Sequence, residues 1–327
     1  MDEKSLNRVL EVFKEKDNFL ITAHINPEGD SVGSQLAIHA LLKKLGKRSA
    51  VVNHDEVPEN LLFLPGSRSI LREVPRDFKA EVLVVVDCPV KERTGRVHGL
   101  VEGEPFVVNI DHHVSNEFFG DVNWVEPEAS SVGEMIFSLI KNLGITVDKD
   151  LATVIYAAIV TDTGMFNYDN TSSNTHKVAG ELIASGVNPK TMHKEIFESK
   201  STAEVRLLGR ALTTLEVEHG GRLAQMTLTR DMYRQEGVDI ISTDEFINFP
   251  RSIRGVEVAV FFKEGGDSSV NVSFRSSGRV DVNVLASHFG GGGHAQASGC
   301  LIECTLSEAK EKVLSEVRKS LDREGKN

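Results

Sequence analysis

Cysteine is scarce in this chain, and its three copies, Cys88, Cys300 and Cys304, stand in no CxxC pair. They build neither a disulfide framework nor a zinc ribbon nor a redox centre, so buried free thiols are expected. Long apolar runs are also missing. Nothing approaches the roughly 20 residues that cross a bilayer, and the stretch up to Lys16 is charged and helical in pattern rather than signal-like. A cytoplasmic protein with no membrane partner is the expectation. Aromatic residues are few, with one tryptophan, Trp124, and three tyrosines, too little for a track that stacks long single strands. Positive charge is outweighed, 37 Lys and Arg against 48 Asp and Glu for a net charge of -11, which argues against a wide basic surface gripping long duplex nucleic acid. Small phosphorylated ligands stay open, because cations bound in an acidic pocket dominate the field there.

What is present reads as a folded protein: 40% hydrophobic and 26% charged residues over 327 positions suit two cores better than one. Leu6, Val9, Leu10 and Phe13 share one stripe of a helix over 5–16, after which residues 19–23 read as a buried strand ending at His24. A helix over 32–45 closes at Gly46, and 50–52 makes another strand. Residues 82–86 and 106–110 are apolar runs of the kind covered on both faces in a parallel sheet, and they stop at Asp87 and Asp111. Helical patterns over 131–143, 149–160 and 174–185 follow, before Gly186-Val187-Asn188-Pro189 breaks the rhythm; 192–215 is again helical in pattern. The expected architecture is α/β: a doubly wound, mostly parallel sheet over 1–185, a helical linker over 186–215, and a smaller α+β domain over 216–327. In that second domain 223–228, 256–262 and 270–274 read as strands, and 282–289 and 306–321 as helices. Doubly wound sheets bind ligands outside the carboxyl ends of their strands, which directs attention to the residues just after each apolar run.

Four such segments carry side chains that divalent transition metals prefer: His24-Ile25-Asn26-Pro27-Glu28-Gly29-Asp30, Asp87, Asp111-His112-His113, and Thr161-Asp162-Thr163-Gly164. Imidazole mixed with carboxylate suits manganese, iron or zinc better than calcium, and shared carboxylates permit a pair of ions. Plainer readings exist for each piece. Asp87 can close a turn, and Asp30 or Ser31 can cap the helix that follows. Adjacent histidines after an apolar strand have no obvious packing purpose, and Pro27 with Gly29 forces a turn able to aim His24, Glu28 and Asp30 at one point. Asp111 either orients an imidazole or caps a turn, and the sequence leaves both open. Thr161 and Thr163 read as core or turn residues. With no G-x-S-x-G elbow and no Ser or Cys triad, no side-chain nucleophile is evident. In the second half, four consecutive glycines from Gly290 to Gly293 are expensive to order. Backbone amides approaching an anion would explain them, and a flexible loop is the alternative. Arg275 ends a strand where it can clamp a terminal phosphate bidentately, with Arg254 a second candidate.

Taken in order, the HxNPxxD, D, DHH and TDTG segments resemble the DHH phosphoesterases, and residues 290–299, GGGGHAQASG, resemble the glycine-rich signature of the DHH-associated domain. Together they span nearly the whole chain, whose length is similar to the nanoRNase and pAp phosphatase branch of that family. The resemblance implies two manganese ions, with magnesium, cobalt or iron as alternatives. His24, Glu28 and Asp87 would hold one, and Asp30, Asp87, His112 and Asp162 the other, with Asp87 bridging. It further implies that Asp87 and His113 are catalytic, His113 contacting the scissile phosphate or helping the leaving oxygen depart, and that Arg275, Arg254, Gly291, Gly292, Gly293 and His294 hold the substrate. The implied reaction is hydrolysis of short single-stranded RNA, of pApA and of pAp to mononucleotides by a metal-bridging water. A homodimer is the commonest assembly for a soluble chain. One departure stands out: Glu28 occupies a position where the family pattern usually has aspartate, and its longer side chain can shift or weaken the first ion. Two rivals share the motifs. One is a manganese pyrophosphatase, which has no need of the glycine segment and Arg275; the other is a nucleotide-binding regulator that keeps metal without turnover.

Overall fold

Alternate residues of the apolar runs enter two different cores, which is why every residue of β1 (Phe19–Thr22) and β3 (Val82–Val86) is buried. Phe19, Ile21, Val82, Val84 and Val86 point into the larger core, whereas Leu20, Leu83 and Val85 point into a smaller one with Val52, Phe78, Cys88 and Val97. A computed structural model describes residues 2–237, 243, 245–265 and 268–324 and divides into two units, Met1–Ser199 and Lys200–Asn327.

In the first unit β1 and β3 join β2 (Ser49–Val51), β4 (Phe106–Asp111) and β5 (Val122–Val125) in a parallel sheet of order β2-β1-β3-β4-β5. The chain leaves β1 toward β2 on one side and re-enters at β3 on the other. The crevice at the carboxyl ends of these two strands is where α/β sheets of this order take their ligands, and His24 and Asp87 follow those two ends. The coats on the two faces are unequal. The larger core is covered by α1 (Glu3–Glu15), α2 (Gly29–Lys44), α4 (Val132–Asn142) and α5 (Lys149–Asp162), while the other face is closed by short turns and α3 (Val97–Leu100).

Glycine sets how closely the helices dock. A Cβ on Gly33 would stand 2.4 Å from the Val154 carbonyl oxygen, and one on Gly29 would stand 2.3 Å from Thr161 Cγ2. Only without side chains can α2 approach α5 this far, and the approach brings Asp30, in the first turn of α2, to Asp162 in the last turn of α5.

The break at Gly186 is a turn within the first unit, between α6 (Ser173–Ala184) and α7 (Pro189–Phe197). Asn188 caps α7 and Pro189 takes its first position, where a missing N–H is harmless. The division between units falls later, between Ser199 and Lys200, inside the expected 186–215 linker. The helical pattern over 192–215 is two helices, because Ser201 and Glu204 form a capping box that starts α8 (Thr202–Leu212).

The second unit holds β6 (Glu216–Glu218), β7 (Leu223–Leu228), β8 (Val258–Glu264), β9 (Val270–Ser276), β10 (Gly292–His294) and β11 (Ala297–Ile302) in the order β10-β11-β9-β8-β7-β6, antiparallel except for β7 and β8. Val258, Val260, Phe262 and Phe274 pack under α11 (Val282–Ser287) and α12 (Leu306–Glu324). Ala259 and Phe261 face the opposite way, toward α8, α9 (Arg230–Glu236) and α10 (Asn248–Arg251). Among the described residues no helix is long and apolar enough to cross a membrane.

Candidate metal centre

The carboxyl ends of β1, β3 and β4 and the meeting point of α2 with α5 deliver one cluster. His24 follows β1, Glu28 is the N-cap of α2 with Asp30 two residues on in its first turn, Asp87 follows β3, Asp111 closes β4 with His112 and His113 behind it, and Asp162 closes α5. Asp87 sits with φ at +52° while its N–H donates to the Ile110 carbonyl at 3.0 Å. A left-handed conformation in a non-glycine residue costs of order 1 kcal/mol and persists only where its surroundings impose it.

Asp87 is the hub. Its Oδ2 lies 3.4 Å from His24 Nε2, and its Oδ1 lies 3.7 Å from both His112 Nε2 and His113 Nδ1. His112 Nε2 also faces Asp30 Oδ2 at 3.9 Å and Asp162 Oδ2 at 3.5 Å. Ligand atoms of His24, Glu28 and Asp87 fall within 4.8 Å of one another, as do those of Asp30, Asp87 and His112; Asp162 meets the second group through His112. Glu28 is exposed where the others are buried or partly buried.

A second layer holds these side chains still. His24 donates from Nδ1 to the Ile25 carbonyl at 2.6 Å, and His112 from Nδ1 to the Ala129 carbonyl at 3.1 Å, so both present Nε2 inward, as ligating imidazoles do. Both Asp30 oxygens accept backbone N–H groups from the start of α4, Val132 at 2.7 Å and Gly133 at 3.0 Å, and Oδ1 also accepts from the Ser34 hydroxyl at 2.9 Å. Asn170 donates to Asp162 Oδ2 at 3.3 Å and to the Ser130 carbonyl at 2.9 Å. Buried Glu134 anchors the same loop through the Ser130 hydroxyl, and accepts from Asn174 at 2.6 Å and Thr175 at 2.9 Å.

The structure resolves the two open roles of Asp111: it orients an imidazole, and that imidazole belongs to His113, whose Nδ1 lies 2.7 Å from Asp111 Oδ1. Its other oxygen accepts from Asn116 at 2.6 Å. Thr161 and Thr163 turn their hydroxyls back onto carbonyls of α5, as expected of helix-end residues. Cys88, beside the hub, is buried, and burial pushes its thiol up to about 12, far from a nucleophile.

Crowded charge shows in the proton affinities. Burial lowers that of His24, yet Asp87 and Glu28 overcome it and carry the pKa up to about 9. Burial opposes His112 too, but Asp162, Asp30 and Asp87 take it up to about 10. Burial and the Asp87 charge raise Asp30 to about 7 against His112 and the Val132 N–H. Asp162 is held well above the usual carboxylate range by burial first, then by Asp30 and Asp87, with His112 pulling the other way. Burial would raise Asp87 as well, but His24, His113 and His112 keep it down at about 2. A cluster that shares protons among so many acids and imidazoles is one where a divalent cation takes their place.

The residues fit such ions. Ligand atoms about 2.1 Å from one ion stand roughly 3.0–3.5 Å apart, close to the separations around Asp87 and His112. The buried Asp87 Oδ2 accepts no hydrogen bond among the described residues, and an orphaned carboxylate oxygen in such a place is what a cation satisfies.

The second unit assembles the other candidates along one end of its sheet. Ala297 stands opposite Arg275, Arg275 opposite Ala259, and His294 opposite Ala297, so Arg275 and His294 share a face across three strands. Arg254 lies in the exposed turn just before β8, at that same end. The glycine run is a hairpin rather than a loop. A Cβ on Gly291 would stand 2.1 Å from the Gly299 carbonyl oxygen, and one on Gly293, whose φ is +145°, 2.6 Å from that of Ala297. Gly292 meets nothing closer than 3.7 Å and its φ is not positive, so packing does not demand glycine there.

Residue-by-residue reading missed the amides Asn109, Asn116 and Asn170 and the buried Glu134. Only Asn109 left a trace, as one polar residue inside the apolar run over 106–110.

Comparison with known proteins places both units in one family. The model of the DHH family, N-terminal domain, matches residues 18–159, and that of the DHHA1 domain matches residues 223–322. The chain is 34% identical over 324 residues, 98% of its length and 96% of the relative's, to the bifunctional oligoribonuclease and PAP phosphatase NrnA of Thermus thermophilus. It is 29% identical over 294 residues, 88% of its length and 90% of the relative's, to the protein of the same name in Bacillus subtilis. Among solved structures, an exopolyphosphatase-related protein from Bacteroides fragilis superposes with a TM-score of 0.87 at 28% identity, covering 97% of this chain and 96% of that one.

Proposed function

Because this chain belongs to the DHH family and carries the DHHA1 domain of the NrnA-like phosphoesterases, we propose that it hydrolyses very short oligoribonucleotides and pAp to mononucleotides. The observation that carries the reading is the convergence of Asp30, Asp87, His112 and Asp162, drawn from four separate segments, around His112 Nε2.

On this reading His24, Glu28 and Asp87 hold one manganese ion, and Asp30, Asp87, His112 and Asp162 the other. Bound ions of this kind supply an activated water and neutralise charge on the phosphoryl group. The chain's own side chains do the rest. The Nδ1 bonds of His24 and His112 fix which ring nitrogen faces inward. Asp111 holds the Nδ1 side of His113, and on this reading the imidazole donates from Nε2 to the scissile phosphate or the departing oxygen. Arg275 and His294, in one row of the second sheet, bind the substrate's terminal phosphate, and Arg254 and the hairpin amides add to that face.

A 5'-labelled RNA ladder, pAp and inorganic pyrophosphate, each incubated with manganese, test the proposal. Mononucleotides should accumulate fastest from the shortest RNA and from pAp, and Asp87→Ala or His112→Ala should abolish turnover with the fold intact. Cleavage of pyrophosphate with the dinucleotide left whole would make the protein a pyrophosphatase instead. Manganese binding without any product would make it a sensor.

A further inference from the structure

We infer that Asn116, backed by Asn109, is the positioning residue that fixes the His113 imidazole and ties it to the turn carrying Asp87. Asn116 spends its whole amide on this task. Its Nδ2 donates to Asp111 Oδ2 at 2.6 Å and to Asn109 Oδ1 at 2.8 Å, and its Oδ1 accepts the Phe118 N–H at 2.7 Å. Asn109 in turn donates to the carbonyls of Cys88 at 3.1 Å and Val85 at 3.3 Å, on either side of Asp87. Asn109 and Asp111 are fully buried and Asn116 nearly so.

Asp111 is therefore gripped at both oxygens, by Asn116 on one and by His113 on the other, and cannot rotate. A carboxylate so held transmits its orientation to the ring it accepts from. The same amide chain reaches the backbone around Asp87, whose left-handed φ needs external support. Packing alone does not call for this arrangement, since an apolar side chain would fill the space without a network to satisfy. Asn116 acts through His113 and Asp111, and its role rests on the proposal that His113 faces the scissile phosphate.

The test is a double-mutant cycle on the full chain with manganese and pApA, measuring kcat, KM and manganese affinity for wild type, His113→Ala, Asn116→Ala and the double variant. Asn116→Ala should lower kcat by about 10- to 100-fold, the penalty of a slightly misplaced catalytic group, with KM and manganese affinity within about threefold of wild type. On the His113→Ala background the second change should remove nothing further, because coupled residues fail as a unit. Should Asn116→Ala not fold, the exchange D111N with N116D decides. It restores a donor and an acceptor across the same gap and should outperform N116D alone.

Equal losses from Asn116→Ala in the presence and absence of His113 would reduce Asn116 to a structural residue and overturn the inference. So would a variant that keeps at least about half the wild-type kcat while His113→Ala is impaired. A fully active His113→Ala would instead sink the underlying reading of His113, so the two failures are told apart.

Discussion

Loading the centre with manganese should expel at least two protons per pair of ions near pH 7.5. With His24 at about 9 and His112 at about 10, both imidazoles are almost wholly protonated at that pH in the metal-free protein. Asp30, at about 7, carries roughly a quarter of a proton and adds to the total. Ligation requires each of these groups in its deprotonated form. Each ion must therefore displace about one imidazole proton, and its apparent affinity should climb close to tenfold per pH unit until His24 begins to titrate near pH 9. For His24 the displacement near pH 7.5 costs about 2 kcal/mol. Titration calorimetry in buffers of different ionisation enthalpy reads the proton count directly. Fewer than one proton released per pair, or an affinity flat from pH 6.5 to 9, would refute the assignment of these imidazoles as ligands.

Three further outcomes follow from the same geometry. In chelator-treated protein the stabilisation from His24 and His112 is complete below 6.5 and lost as pH climbs through about 9 and about 10, so Tm should fall steadily over that range; a flat Tm would contradict the burial of charged imidazoles. The depressed Asp87 works at the other end, contributing above 3.8 and losing its share as pH drops toward 2. Gly33→Ala should destabilise the first unit by about 1–3 kcal/mol, because its methyl meets the Val154 backbone carbonyl rather than a movable side chain, and chemical denaturation measures this. In the hairpin, Gly293→Ala should lower Tm, whereas Gly292→Ala should leave Tm alone and raise KM, since only the second position has room for a methyl; equal thermal losses at both would remove the argument that a ligand approaches Gly292.

The sheet and the cluster of acids and imidazoles at its carboxyl edge were legible because chemistry and periodicity coincided. The runs over 82–86 and 106–110 announce buried parallel strands, and the polar residue that ends each run lands at the carboxyl edge, where both Asp87 and Asp111 are found. The hairpin of the second unit was not legible, because a glycine-dense strand has no side chains with which to display a period of two. The division between units, after Ser199, lies inside the expected 186–215 span but not at its Gly186 start. Gly186 and Pro189 look like a linker in one dimension, and only the contacts of α7 with the first core, through Met192 and Ile196, show a helix turn instead. The amides Asn109, Asn116 and Asn170 escaped for a different reason: a hydrogen-bond network is a property of positions brought together, and no spacing along the chain encodes it.

The docking of α2 against α5 through bare backbone has a consequence for biosynthesis. The side chains around His112 come from residues as far apart as Asp30 and Asp162, and closing so long a stretch of chain is slow compared with local helix formation. A chain emerging from the ribosome offers scattered imidazoles and acids but no converged cluster until the fifth helix has settled. Occupancy by a divalent cation would thus register that the first unit is finished, and a half-made chain would have little with which to trap the wrong ion.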